Sequence, residues 1–241
     1  MNARGLDLSR YNGRGDWQKV KDSGVSFVII KASGIYSNTG MCYTDNLLAD
    51  HVAGAKSVNI PFGLYHYFLP FTPVQNQVDF YKRLFDQYEP TIPYLFLDVE
   101  NNNGSGSTLI TAALKTFVSF FSKVVIYTRA SWWNPNVKVG DWKQYDLWAA
   151  RYQTGLSGPW SDGNFKFRDW QEWRIWQMTG ENNNLAAQYG FPGPPEGDPD
   201  MDTNQFAGDE AAFRQWAGLE HIPTIEERIT ALEIAVFGKG K

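Results

Sequence analysis

The stretch Tyr94-Leu95-Phe96-Leu97-Asp98-Val99-Glu100, followed by Asn101-Asn102-Asn103-Gly104-Ser105-Gly106, decides how the chain is read. Its opening residues are apolar without helical spacing and run into an Asn/Gly/Ser cluster, the pattern of a core strand ending in a loop. Side chains alternate across a strand, so Asp98 and Glu100 project to one face, opposite Val99, at the strand's C-terminal edge. Like charges so placed resist ionising together. One protonated carboxyl beside one ionised carboxylate is what acid/base chemistry on a glycosidic bond requires. An isolated D-x-E is more often a pair of strand-end acids capping the next loop, so the rest of the chain has to decide.

Upstream, Gly5-Leu6-Asp7-Leu8-Ser9 reads as a first strand and Asp16 to Gly24 as a short helix with an Asp at its start and a Gly at its end. Val25 to Ala32 is a nearly continuous apolar run, which fits a strand covered on both faces. Lys31 at its end needs a partner if buried. Asp45 to Val58 carries a helical stripe, Ile60 to Phe68 is a strand, and Val74 to Tyr88 is a helix leading through Pro90 and Pro93 to the D-x-E strand. A helix over Leu109 to Phe121 follows, with Ser107 or Thr108 as its cap. Val124 to Thr128, Tyr145 to Tyr152, Trp173 to Met178 and Met201 to Phe206 read as strands five to eight, joined by Pro/Gly/Trp-rich loops such as Gly190 to Asp200.

The expected fold class is therefore α/β, an irregular (β/α) barrel with regular βα units in the first half and a helix-poor second half. Polar residues recur at the C-terminal ends of these strands: Asp7, Lys31, Tyr67, Asp98 with Glu100, Tyr127, Tyr152, Gln177 and Asp202. In a parallel barrel such ends meet at one mouth, where chemistry is sited. Tyr65 shares a face with Tyr67. His66 between them faces the other way and reads as a core histidine.

Composition narrows the function classes. At 241 residues the chain can bury a sizeable core, and 43% apolar content argues for a globular fold. A net charge of −4 without a basic field argues against nucleic acid as a partner. A single cysteine, Cys42, forms no intrachain disulfide, and His51, His66 and His221 lack zinc-ligand spacing, so no metal or cofactor is expected. No run reaches membrane-spanning length, and Met1 to Asp7 lacks the apolar core of a signal peptide. Trp132-Trp133, Trp160 and Trp170 lie in polar, Gly/Pro-punctuated stretches, where burial is less easily assumed than for the other tryptophans.

The strand-end stretches also resemble a known family. Gly5-Leu6-Asp7-Leu8-Ser9, Phe27-Val28-Ile29-Ile30-Lys31-Ala32-Ser33, Gly63-Leu64-Tyr65-His66-Tyr67-Phe68, Leu97-Asp98-Val99-Glu100, Val125-Ile126-Tyr127-Thr128, Leu147-Trp148-Ala149-Ala150-Arg151-Tyr152, Trp176-Gln177 and Met201-Asp202-Thr203-Asn204-Gln205-Phe206 are similar, in order, to glycoside hydrolase family 25, the Chalaropsis-type lysozymes and phage endolysins. The resemblance runs from about residue 3 to residue 208. It implies hydrolysis of the β-1,4 bond between N-acetylmuramic acid and N-acetylglucosamine in a peptidoglycan glycan strand, with Glu100 as general acid, Asp98 as partner carboxylate, and Asp7 and Asp202 as flanking acids. Lys31, Tyr65, Tyr67, Tyr127, Tyr152 and Gln177 are the expected substrate-binding set. One departure stands out: where the family usually carries Glu after Lys-Ala-Ser/Thr, this chain has Gly34, which bears on substrate preference more than on activity.

Asp98 is open to two roles, nucleophile or stabiliser of the substrate's own attacking N-acetyl group. Lys31 is expected to pair with an acid. The expected domains are a catalytic barrel over 1–217 and an extension over 218–241, in which Ile225, Ile229, Leu232 and Val236 form a heptad-like stripe. That stripe packs on the barrel or joins copies of the chain into a homo-oligomer. The expectation for localisation is synthesis in the cytoplasm without a signal peptide and action on the bacterial wall, as for a phage or prophage lysin. Two rival readings are a non-catalytic wall-binding or phage structural protein on the same barrel, and a barrel glycosidase acting on chitin.

Overall fold

Strands that are apolar on both faces need cover on both, and this chain supplies it by closing its strands on themselves and wrapping helices outside. The computed structural model describes residues 1–152, 163, 166–219, 226 and 229–230. Its strands are β1 (Arg4–Leu8), β2 (Phe27–Ile35), β3 (Cys42–Thr44), β4 (Phe62–Tyr67), β5 (Leu95–Asp98), β6 (Val124–Thr128), β7 (Asp146–Ala150), β8 (Ile175–Gln177) and β9 (Asp202–Phe206). The helices are α1 (Trp17–Asp22), α2 (Leu48–Ser57), α3 (Gln75–Tyr88), α4 (Ser107–Val118), α5 (Ala130–Asn136) and α6 (Glu210–Trp216).

Around the ring the order is β1, β2, β4, β5, β6, β7, β8, β9 and back to β1, so the barrel is closed. Neighbours are parallel except at β9, which runs antiparallel to both β8 and β1. This corrects the expectation that every polar residue at the mouth ends its strand. Asp202 begins β9, and the reversed direction brings it to the mouth opposite Asp7. The eight sequence-predicted strands are all present, while β3, a hairpin partner of the extended end of β2, was not anticipated.

Period-two alternation sorts the strand residues. Phe27, Ile29, Phe96, Val125, Trp148, Ile175 and Phe206 fill the barrel interior, while Val28, Ile30, Leu64, Leu97, Ile126 and Leu147 pack under the helices. Interior volume is matched across strands: a Cβ on Gly5 would meet the Phe27 ring at 2.4 Å, and one on Gly63 would meet the Phe96 ring at the same distance. The end of the barrel away from the mouth is stoppered by α6, which Asp209 caps. Phe213 stacks on Phe27 with ring centroids 4.6 Å apart, and the Tyr94 hydroxyl donates to the Trp216 carbonyl. The interior is thus plugged by aromatics below and polar above.

Two local expectations change. The α4 N-cap is Gly106, with Ser107 already inside the helix and no side-chain cap, because Gly106 itself holds the extended cap conformation. Trp133 and Trp170 are buried despite their polar neighbourhood, since each indole N–H finds an acceptor, Asp169 at 2.8 Å and the Tyr145 carbonyl at 2.9 Å. Trp160 and most of the 218–241 extension, including its heptad-like stripe, lie outside the described residues. Among the described residues no helix is long and apolar enough to cross a membrane.

Candidate active site

The mouth of the barrel opens into a cleft of about 480 Å³. Alternation carries the upper inward-facing residues into it: Asp7 from β1, Lys31 from β2, Tyr65 and Tyr67 from β4, Asp98 and Glu100 from β5, Tyr127 from β6, Gln177 from β8 and Asp202 from β9. Tyr152, just past β7, completes the set, so every site residue expected from sequence lines this cleft. The extended backbone continues beyond Asp98, because the Val99 N–H donates to the Tyr127 carbonyl at 2.9 Å. That keeps Glu100 on the face of Asp98 while Val99 is buried on the other.

Asp7 is wired in place. Its Oδ2 accepts from Gln177 Nε2 at 2.9 Å and from Asn204 Nδ2 at 2.7 Å. Gln177 Oε1 in turn accepts from the hydroxyls of Tyr127 at 2.7 Å and Tyr152 at 2.8 Å, and Asn204 Oδ1 accepts from the Trp148 indole at 2.7 Å. Asp202 is the residue directly paired with Asp7 across β1 and β9. Burial pushes the Asp7 carboxyl up to about 6 against these donors, and burial together with the neighbouring Asp7 pushes Asp202 up to about 9. Near neutrality the two adjacent carboxyls therefore hold one proton between them.

Asp98 sits in the opposite condition. It is buried, yet its Oδ1 has no hydrogen-bond partner among the described residues. Burial first, and then the charge of Glu100, raise its carboxyl well above the usual range, with Lys31 opposing. Burial likewise raises Glu100, while Arg129 and Lys31 hold it down. Lys31 is itself positioned over the rings of Tyr67 at 4.8 Å and Tyr65 at 5.5 Å. The pair thus shares a low-dielectric floor with two cations at its side.

His66 plays no part in the cleft. It lies under the helices, with Nδ1 at 2.8 Å from Ser33 Oγ and Nε2 at 3.1 Å from Gln77 Oε1, and burial pushes it down to about 4. Among the described residues no group of His, Cys, Asp or Glu is arranged to hold a metal ion.

Residues 6–185 match the family model for Glycosyl hydrolases family 25. The chain belongs to this family. Its sequence is 29% identical to lysozyme M1 of Streptomyces globisporus, over 65% of this chain and 56% of that protein. It is 30% identical to the autolytic lysozyme of Clostridium acetobutylicum, over 65% of this chain and 46% of that protein. The chain thus spans about half the length of these curated relatives. The solved bacterial lysozyme of Streptomyces coelicolor superposes with a TM-score of 0.68 at 25% identity, covering 90% of this chain and 97% of that one.

Several residues of this family 25 cleft escaped the sequence reading. Arg129 directly follows the predicted strand Val124 to Thr128, and Asp198 and Asp200 lie in a stretch read only as loop. Asn204, buried beneath the cleft and two residues along β9 from Asp202, therefore on the same face, had a readable signal in that spacing. The cleft is strongly acidic: among the described residues Asp7, Asp98, Glu100, Glu181, Asp198, Asp200 and Asp202 face Lys31 and Arg129 as the cations. At the family departure, Gly34, the Tyr43 ring of β3 occupies the room a side chain would take, its hydroxyl 2.6 Å from the Cβ position.

Proposed function

We propose that this chain is a lysozyme that hydrolyses the β-1,4 bond between N-acetylmuramic acid and N-acetylglucosamine in bacterial peptidoglycan. The observation that carries the reading is the Asp98–Glu100 pair on the cleft floor: two desolvated carboxyls, one with an oxygen that lacks a partner among the described residues. A glycan strand threads the cleft, and the acetamide N–H of the sugar at the cleavage point donates to Asp98 Oδ1. A hydrogen bond to a carboxylate favours its ionised form, so binding draws the proton of the pair onto Glu100.

Glu100 then protonates the glycosidic oxygen as the acetamide oxygen of the same sugar attacks the anomeric carbon, and the C–O bond to the leaving sugar breaks. Asp98 stabilises the positive charge that develops on the acetamide. Glu100, now ionised, takes a proton from water, whose oxygen attacks the anomeric carbon and reopens the ring to the acetamide. Two displacements at one carbon leave the β configuration in the product. Asp7, held by Gln177 and Asn204, and Asp202 shape the opposite wall, and Tyr67 and Tyr127 line the path of the sugar.

The test is digestion of purified peptidoglycan by wild type and Glu100→Gln in parallel. Wild type is expected to clear the suspension and release fragments with new N-acetylmuramic acid reducing ends, while the variant stays folded and loses about 10²–10⁴ in rate. Full activity in the variant would sink the assignment, and new N-acetylglucosamine ends would mark a different glycosidase.

A further inference from the structure

Tyr11 lines the cleft, and a chain of contacts leads from it across the outer wall. The Arg10 guanidinium lies 4.8 Å from the centre of the Tyr11 ring and donates to its hydroxyl at 2.8 Å, and it also lies 5.9 Å from the Tyr43 ring. Tyr43 in turn packs on Tyr36, with centroids 4.6 Å apart and planes inclined by 37°. Arg10 is anchored by its backbone N–H to buried Asp45 at 3.1 Å, and Tyr36 closes a tight hairpin turn through hydrogen bonds with Met41 and Gly40. These rings are held, yet Tyr11 is 59% and Tyr36 48% exposed. Exposed, fixed aromatic rings on either side of a cation lack any role in the barrel core. Tyr11 and Tyr36 leave ring surface open to solvent, with Tyr43 and Arg10 packed between them as support, and an open ring beside polar groups is how a sugar is recognised: its C–H face against an aromatic, its hydroxyls toward donors.

Gly34 is what permits this arrangement. A Cβ there would lie 2.6 Å from the Tyr43 hydroxyl and 2.7 Å from Cζ, so any residue but glycine makes the Tyr43 ring shift from this position. We propose that Tyr11, Tyr43 and Tyr36, linked by Arg10, form a distal subsite that holds an additional sugar of the glycan strand beyond those in the cleft. The proposal rests on the glycan-cleaving reading above and deepens it: the chain prefers long strands to short ones.

The experiment uses peptide-free peptidoglycan glycans, tetrasaccharide and long strands, with the full chain. Stacking of one ring contributes on the order of 0.5–1.5 kcal/mol, so Tyr36→Ala and Tyr43→Ala should raise KM for long strands roughly three- to tenfold with kcat unchanged. The tetrasaccharide should be cleaved as before. Gly34→Ala should reproduce Tyr43→Ala, and Tyr36→Trp should retain wild-type behaviour. Equal effects on both substrates, or none on long strands, would overturn the proposal, as would a change in the mass of the protein in solution without a change in strand binding. Binding of long strands to Glu100→Gln, with and without Tyr36→Ala, separates this proposal from the lysozyme reading. Weakened binding supports the subsite even if wild type cleaves nothing, and unchanged binding overturns it even if cleavage is confirmed.

Discussion

Two pairs of carboxyls face each other across the mouth, and they are built in opposite ways. Asp7 and Asp202, on neighbouring strands β1 and β9, sit in a closed network of Gln177, Asn204, Tyr127, Tyr152 and Trp148. Asp98 and Glu100, at the end of β5, have cations beside them and an oxygen left without a donor among the described residues. A buried acceptor normally has its partner inside the protein, and leaving one unmade costs stability. The difference teaches which pair is scaffold and which awaits a ligand. On the function proposed above, the wired pair fixes shape and the open pair keeps its hydrogen-bonding capacity for substrate.

The sharpest way to break this comparison is Asp98→Asn. If the unpartnered oxygen serves the acetamide, activity should fall by about 10²–10³, the scale of losing one preorganised stabilising group. Stability should hold or rise at pH 8, because an unpaired buried acid has been replaced by a neutral amide. Parallel wall-clearing assays and thermal melts check both, and a destabilised variant would place Asp98 with the scaffold pair.

The mirror experiment, Asp7→Asn, should act first on the fold. Both amides donate to one oxygen, Oδ2; an Asn keeps that acceptor but loses the charge that strengthens both bonds and sets an NH2 group in place of the second oxygen, at about 1–3 kcal/mol. Urea unfolding of the variant checks this. A fully stable but inactive Asp7→Asn would make Asp7 a direct participant in the chemistry and erase the contrast.

The smallest effect distinguishes the two members of the wired pair. Asp202 is raised from 3.8 to about 9, so in the folded state it keeps a proton that the unfolded chain releases above its ordinary value. Its contribution is therefore complete below about pH 4 and is lost as pH rises toward about 9. Asp202→Asn keeps a donor toward Asp7 and removes the titration. The fall of Tm between these limits should become shallower, with Tm at the acidic end unchanged. An identical slope in both proteins would remove Asp202 as the proton holder.

How much of this was legible in the chain follows from distance along it. Asp98 and Glu100 share a face because of the strand's period, a property of adjacent residues, and His66 is excluded from the mouth by the same rule. The strand-end residues could be collected because each lies at the end of its own apolar run. The Asp7 network was not legible: its donors are 170 and 197 residues away, and only closure of the barrel brings β8 and β9 beside β1. The direction of β9 had a faint signal in the lack of a crossover helix after β8, since antiparallel neighbours need none.

What the sequence by itself determined is therefore local: the strands, the face each side chain takes, and the two acids at the end of β5. Alternation and apolar runs are written in neighbouring residues. Tertiary structure alone decided which acids are satisfied and which is left open, that Asp202 arrives from a reversed strand, that α6 plugs the barrel, and that Gly34 makes room for Tyr43. The physical reason is that hydrogen-bond satisfaction and steric fit are properties of atoms brought together by the closed sheet, and no residue carries its partner's position in its own neighbourhood.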